Sequence, residues 1–216
     1  MATDKTSGES LEARLPEIRL AALAERALAR PADQPAIEFE QKWIDWGAMR
    51  RVSTSLRDAL IASGAPPGAA VAFVPRNRPA AIAALLGLIA ARATVRMIYA
   101  FQSSAAIARD VLRLQPAVLV ADAADFTSEV CAMLRESGIA GIALDGMQAG
   151  AVAGHEHVRA TVQTPEPPHI EILTSGTTGA PKQFPVSYEL IVRHHVGTLS
   201  DLSNEKPTLL FFPLGN

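Results

Sequence analysis

The densest chemistry in the sequence lies in Thr174-Ser175-Gly176-Thr177-Thr178-Gly179-Ala180-Pro181-Lys182. Gly176 and Gly179 carry no Cβ and accept positive φ, so backbone N–H groups there can turn inward and approach a ligand closely. Clustered inward N–H groups make an anion-binding nest. Thr174, Ser175, Thr177 and Thr178 add hydroxyl donors, and Lys182 adds a full positive charge. Together these groups have the chemistry to hold a polyphosphate. A surface loop rich in turn residues is the alternative that composition alone leaves open.

Spacing narrows the choice. The Walker A pattern needs a glycine, four residues, then Gly-Lys-Ser/Thr opening a helix. Here Gly176 and Gly179 are three apart, Pro181 intervenes and Gln183 follows the lysine. Pro181 biases Ala180 away from helical backbone, so Lys182 leads toward another extended segment. The dinucleotide pattern G-x-G-x-x-G fails as well, which sets aside P-loop NTPases and nicotinamide enzymes.

Other reactive residue types are scattered. His155 and His157 flank Glu156 in an irregular stretch with no third ligand at zinc spacing, so a solvated loop is expected and no metal site. His195 shares the apolar side of a helical pattern with Ile191 and Leu199 and reads as a packed histidine. Cys131, the only cysteine, follows the helical pattern of Phe126, Val130, Met133 and Leu134 and reads as a core thiol. A single cysteine excludes an intrachain disulfide and a thiolate zinc knuckle. Trp43 and Trp46 lack the interleaved basic residues of a single-strand binder and read as cover for a hairpin.

These residues need a scaffold, and the composition provides for one. Of 216 residues, 49% are hydrophobic and 19% charged, as in a packed globular chain. The net charge of −2 includes no block of like sign, which excludes the basic footprint of a nucleic-acid binder. Met1 to Ser10 is polar and lacks the apolar core of a secretory signal. The longest apolar run, Pro79 to Ala91, is too short to span a bilayer. A cytoplasmic protein in a reducing compartment, with no membrane span, is the expectation.

Periodicity then sets the elements. Residues 1–10 are expected to form a disordered lead. Leu20, Leu23, Ala24, Ala27 and Leu28 predict a helix within Leu15–Ala29, and Pro35 to Trp46 alternates like a hairpin with its tip near Glu40-Gln41. Met49, Val52, Leu56 and Leu60 predict a helix closed by Gly64. Strands are expected at Ala70–Val74, Val95–Tyr99, Ala117–Ala121 and Ile139–Leu144. Helices from Pro79 (buried face Ile82, Leu85, Leu86 and Ile89), at Ser104–Leu114 and at Phe126–Arg135 separate them. Such alternation predicts an α/β fold, a parallel-rich sheet flanked by helices. Residues 146–169 read as irregular. A first α/β subdomain over 11–163, a linker at 164–168 and a second, incomplete subdomain over 169–216 are expected. In the second, Ile170–Leu173 leads into the hydroxyl-rich loop, Gln183–Val186 returns as a strand and Ser187 caps a helix. Leu209–Phe212 reads as a last buried strand.

The segment Thr174 to Lys182 resembles, position by position, the phosphate-binding signature of the adenylate-forming (AMP-binding) superfamily. That superfamily includes acyl-CoA synthetases, adenylation domains of peptide synthetases and luciferases. The hairpin before a helix, Gly64-Ala65-Pro66-Pro67-Gly68, and the strand reaching Pro75-Arg76-Asn77 resemble its N-terminal progression. Phe211-Phe212-Pro213-Leu214 resembles its next motif. The resemblance covers most of residues 35–216 and implies a parent more than twice this long, of which this is the N-terminal portion.

It implies an acyl-CoA synthetase-like acid–thiol ligase. In that chemistry a carboxylate attacks the α-phosphorus of ATP, giving an acyl-adenylate and pyrophosphate, and a thiol, usually that of coenzyme A, takes the acyl group. Thr174, Ser175, Gly176, Thr177, Thr178 and Gly179 would wrap the β- and γ-phosphates, Lys182 would add catalytic charge, and Asn216 would line the acyl pocket. ATP, Mg2+ and coenzyme A are the implied cofactors, a small carboxylic acid the implied partner and fatty acid metabolism the implied setting, compatible with a homodimer. Three positions depart from the pattern: Gln183 where glycine is common, and Tyr188 and Asn216 where histidine is common. The later motifs do not occur in the sequence, so the 216-residue chain is expected to be inactive alone. The rival readings are an adenylation domain that loads a carrier-protein thiol and a non-catalytic nucleotide-binding fragment.

Overall fold

The computed structural model describes residues 19–159, 161–162, 164–165, 167–174 and 182–196. The expected disordered lead and the strand at Leu209–Phe212 lie outside the described residues. Helix α1 (Leu20–Leu28) comes first, then the hairpin of β1 (Pro35–Phe39) and β2 (Lys42–Asp45). Glu40 and Gln41 turn the hairpin with φ of 50° and 62°, the left-handed pair that a tight two-residue turn requires. Helix α2 (Trp46–Ala62) starts where the Asp45 side chain accepts from the Ala48 N–H at 2.6 Å. That cap satisfies one of the donors a helix start leaves unpaired.

The α/β part follows as β3 (Ala70–Phe73), α3 (Pro79–Ala90), β4 (Thr94–Met97), α4 (Ser104–Leu114), β5 (Val118–Asp122), α5 (Ser128–Ser137) and β6 (Ala140–Asp145). Strand β7 (Gln148–Ala151) comes next, then β8 (His169–Thr174), β9 (Lys182–Ser187) and the short helix α6 (Tyr188–Ile191). The sheet order is β7-β6-β5-β3-β4-β8-β9. Strands β6, β5, β3, β4 and β8 are parallel, and β7 and β9 flank them as antiparallel strands at the two ends of the described sheet. Pro185 falls within β9, at the margin of the described sheet, where a missing N–H is tolerated.

Two apolar cores sandwich the sheet, as parallel strands buried on both faces demand. On one face Met49, Val52 and Leu56 of α2 and the small residues of α3 pack on Val71, Phe73, Val95 and Val120. On the other, Ile107 and Val111 of α4 and Val130 and Leu134 of α5 pack on Ala72, Val74, Ile98 and Leu119.

Several expectations need correction. The buried side of α3 is not Ile82, Leu85 and Leu86, which are half-buried; it is Ala80, Ala81, Ala83, Ala84, Gly87 and Leu88, together with Ile89. The helix is apolar all round, so periodicity carries no face, and close approach of α2 selects the small residues. A Cβ at Gly87 would stand 2.8 Å from Ser53 Oγ and 3.2 Å from Ser53 Cα. Residues 148–151, expected to be irregular, form β7 on β6. Cys131 is half-buried, its Sγ 3.6 Å from the Phe126 carbonyl, and is not a core thiol.

His155 is also corrected: it is 6% exposed, against the solvated loop expected. Its backbone ties the 152–155 segment to β6, the Gly141 N–H donating to its carbonyl at 2.8 Å. Desolvation, then the nearby Arg135 charge, hold its imidazole below the usual histidine range.

Two outcomes are expected. Gly87→Val should destabilise the fold by about 1–3 kcal/mol through overpacking, read as a lowered denaturation midpoint. Because His155 is held neutral in the fold, the unfolded chain binds the extra proton first. Stability should therefore be full above about pH 6.5 and fall as pH drops below it. His155→Gln should flatten that slope in denaturant melts across the same interval.

Candidate functional site

Parallel strands impose a polarity. The C-terminal ends of β3, β4, β5, β6 and β8 lie on one rim of the sheet, the side on which open α/β sheets bind ligands. Thr174, the first residue of the hydroxyl-rich segment, ends β8 at that rim. Strands β8 and β9 pair from His169↔Ser187 through Glu171↔Pro185 to Thr174↔Lys182. Thr174 and Lys182 are therefore cross-strand partners, with Cα atoms about 4.5–5.5 Å apart in any such rung. Both ends of the predicted anion loop are thus fixed side by side. Of the expected site residues, the structure brings Thr174 and Lys182 together; Ser175, Gly176, Thr177, Thr178, Gly179 and Asn216 lie outside the described residues.

On the sheet side, β8 pairs with β4 through Val95↔Ile170 and Arg96↔Glu171. The second rung carries an ion pair, Arg96 Nε to Glu171 Oε1 at 3.0 Å, with side chains 12% and 10% exposed. The Arg96 guanidinium also donates to the carbonyls of Leu114 and Gln115, closing the C-terminal end of α4. On β8, His169 Nε2 lies 3.2 Å from the same Glu171 oxygen, and its Nδ1 lies 2.9 Å from the Pro167 carbonyl.

Sequence reasoning missed this cluster. Its signal was present as an arginine between Val95 and Met97 and a glutamate between Ile170 and Ile172, each a charge inside an apolar strand. Buried charges need partners, so each implied the other. Nothing local, however, joins residues 75 apart.

Further along the rim, Arg76 after β3 meets Asp125 after β5, and Arg78 Nη1 meets Asp122 Oδ2 at 2.7 Å. The hydrogen bonds that Arg76 donates to the Asp125 carboxylate raise its pKa despite partial burial. Tyr99 and Phe101, following β4, form a tilted ring pair with centroids 5.7 Å apart, and both are exposed. Among the described residues no group of three or more His, Cys, Asp or Glu could hold a metal ion. No helix among them is long and apolar enough to cross a membrane.

A cavity of about 660 Å³ lies elsewhere, lined by Arg19, Arg92, Pro167, Tyr188, Val192 and Arg193 among others. Ala93 and Pro168, beside it, precede β4 and β8, so it opens at the opposite rim, away from the loop. Tyr188 donates from its hydroxyl to the Ala93 carbonyl at 2.7 Å, and burial pushes its phenol up.

This arrangement is that of an open, mostly parallel α/β sheet, with Thr174 and Lys182 paired at its C-terminal rim. The family model for "AMP-binding enzyme" matches residues 23–215, and the chain belongs to that family of adenylate-forming ligases. Among solved structures it is similar to apo MatB from Rhodopseudomonas palustris, with 19% identity and a TM-score of 0.58, over 79% of this chain and 35% of that one. ATP-bound MatB from the same organism gives 22% identity and a TM-score of 0.57, over 79% and 35%. O-succinylbenzoate coenzyme A synthetase from Bacillus subtilis, in complex with AMP, gives 16% and 0.54, over 74% and 40%. At these identities the likeness is one of fold, and the chain spans 35% of the length of MatB. No curated protein sequence matches it.

Glu171→Ala would leave Arg96 charged and enclosed without its carboxylate. A loss of about 3–5 kcal/mol is expected, measurable as a fall in unfolding free energy. Glu171→Gln, which keeps an acceptor, should lose less.

Proposed function

We propose that the chain is the N-terminal part of an ATP-dependent carboxylate–CoA ligase, in which residues 174–182 hold the β- and γ-phosphates of ATP. One observation carries this reading: the order of glycines, hydroxyls and lysine from Thr174 to Lys182 is mounted between paired strand ends at the ligand rim. The donor set fits a polyphosphate. From Ile172 to Tyr188 the sequence offers two glycines, hydroxyls and a lysine, and no carboxylate to repel an anion. The ATP and AMP named with the similar structures support the choice of nucleotide.

ATP, when bound, supplies the activated phosphorus and the pyrophosphate leaving group. The part played by this chain is electrostatic. The backbone N–H groups and hydroxyls of Thr174, Ser175, Gly176, Thr177, Thr178 and Gly179, with the Lys182 ammonium, fix the leaving phosphates and spread their charge as it develops. Mg2+ would arrive on the phosphates, with its protein carboxylate supplied from outside residues 172–188. Coenzyme A as acceptor, a small carboxylic acid in a pocket reached by Asn216, a cytoplasmic setting in fatty acid metabolism, a homodimer and a subdomain division at residues 164–168 complete the proposal.

The test is an ATP titration of the 216-residue chain by calorimetry. A lysine–phosphate contact is worth about 1.5–3 kcal/mol, so Lys182→Ala should weaken binding by roughly ten- to a hundredfold. In the parent ligase the same change should slow pyrophosphate exchange. An unaltered affinity in Lys182→Ala, or no binding by the unaltered chain, would sink the assignment.

A further inference from the structure

Helix α3 ends on an unusual residue. Its last turn closes with the Arg92 N–H donating to the Ile89 carbonyl and the Ala93 N–H to the Leu88 carbonyl, both at 3.0 Å. This pair of bonds ends many helices on a left-handed residue, usually glycine. Here the left-handed position, with φ of 56°, is held by an arginine. A Cβ makes that backbone shape costly, whereas glycine adopts it freely. Strain of this kind points to a use for the side chain.

The Arg92 side chain lines the cavity of about 660 Å³ at the rim opposite Thr174 and Lys182. Small-molecule sites span roughly 300–1,000 Å³ and join apolar walls to a few polar groups. The apolar walls here are Leu20 and Ala21 of α1, Pro167 and Pro168 before β8, Tyr188 and Val192. The charges are Arg19, Arg92 and Arg193 against Glu25 and Glu189, which leaves one unit of positive charge. Glu189 holds Arg193 at 2.6 Å, while Arg19 and Arg92 enter no ion pair among the described residues. The Tyr188 hydroxyl donates to the Ala93 carbonyl at 2.7 Å, which fixes α6 beside the residue that follows Arg92. The Arg92 charge acts on the Tyr188 phenol, opposing the rise that burial causes, so the two side chains are neighbours.

We propose that this cavity binds a small monocarboxylate with an apolar body, its carboxylate on Arg92 and its body along α1 and Pro167-Pro168. The site is separate from the nucleotide role given to residues 174–182 and does not rest on it. A guanidinium presents paired N–H donors that match a planar carboxylate. The single surplus charge favours a monoanion, because a phosphate ester would bring a second negative charge beside Glu25 and Glu189. A neutral apolar molecule would cover Arg92 and give it no acceptor, which costs free energy.

The test is calorimetry on the 216-residue chain with octanoate, with 1-octanol, which keeps the apolar body without the charge, and with acetate, which keeps the charge without the body. Arg92→Gly suits the backbone at φ 56° and should fold at least as stably as the unaltered chain, read as its denaturation midpoint. Octanoate should bind saturably, and about tenfold or more tighter than either other probe. Arg92→Gly should weaken octanoate about tenfold, the order of one charge-assisted contact, and leave 1-octanol unchanged. Ala22→Trp, which puts a bulky ring into the cavity from an exposed position on α1, should remove octanoate binding. Circular dichroism checks its folding; should it not fold, the Arg92→Gly and 1-octanol arms decide alone. No saturable octanoate binding by the unaltered chain overturns the proposal, as does an affinity unchanged in Arg92→Gly. Binding that persists in folded Ala22→Trp, or that is lost in Lys182→Ala, puts the carboxylate elsewhere and overturns it too.

Discussion

Strand β3 is the constraint on which everything else rests. Its four residues are fully enclosed, it bonds to β4 on one side and β5 on the other, and both neighbours run parallel to it. A strand so placed must have apolar side chains on both faces and a helix layer over each. It also fixes the direction of every parallel strand added to it. That direction decides which rim receives the loops that follow the strands. The end of β8 at Thr174 and the Arg76–Asp125 and Arg78–Asp122 pairs share one rim for this reason. The cavity lined by Arg92 and Tyr188 lies at the other.

The division between what the sequence disclosed and what it withheld follows the range of the interactions. Helix α4 was legible residue for residue, because Ile107, Val111 and Leu114 repeat at helical spacing. The hairpin tip was legible because Glu40-Gln41 separates two alternating runs. Helix α3 was visible as an element but not as a face, since apolar residues surround it and the choice of inward side belongs to the backbone of α2. Strand β7 was hidden because Gln148-Ala149-Gly150-Ala151 has no β-branched or aromatic residue; pairing with β6 makes it a strand.

The candidate site divides in the same way. The order of glycines, hydroxyls and lysine is local, so it could be read directly. That Thr174 and Lys182 stand opposite each other follows from the returning strand, which Pro181 and the apolar residues after it foreshadowed. The Arg96–Glu171 pair is a different matter. Each partner looked like an isolated charge in an apolar strand, and only the adjacency of β4 and β8 reveals that the two charges neutralise each other. Long-range pairing of this kind has no periodic signature. It shows in sequence only as an anomaly that demands a partner.

Pro185 has a consequence for assembly. It sits in β9 with its ring nitrogen free of any hydrogen, opposite Glu171 in the ladder, and with Gln183 and Phe184 it is solvent-exposed. A strand from another molecule approaching the outer margin of β9 would seek a continuous row of donors and acceptors. Pro185 can contribute no N–H to such a row. Pro185 therefore leaves β9 one backbone donor short of an ordinary strand of its length.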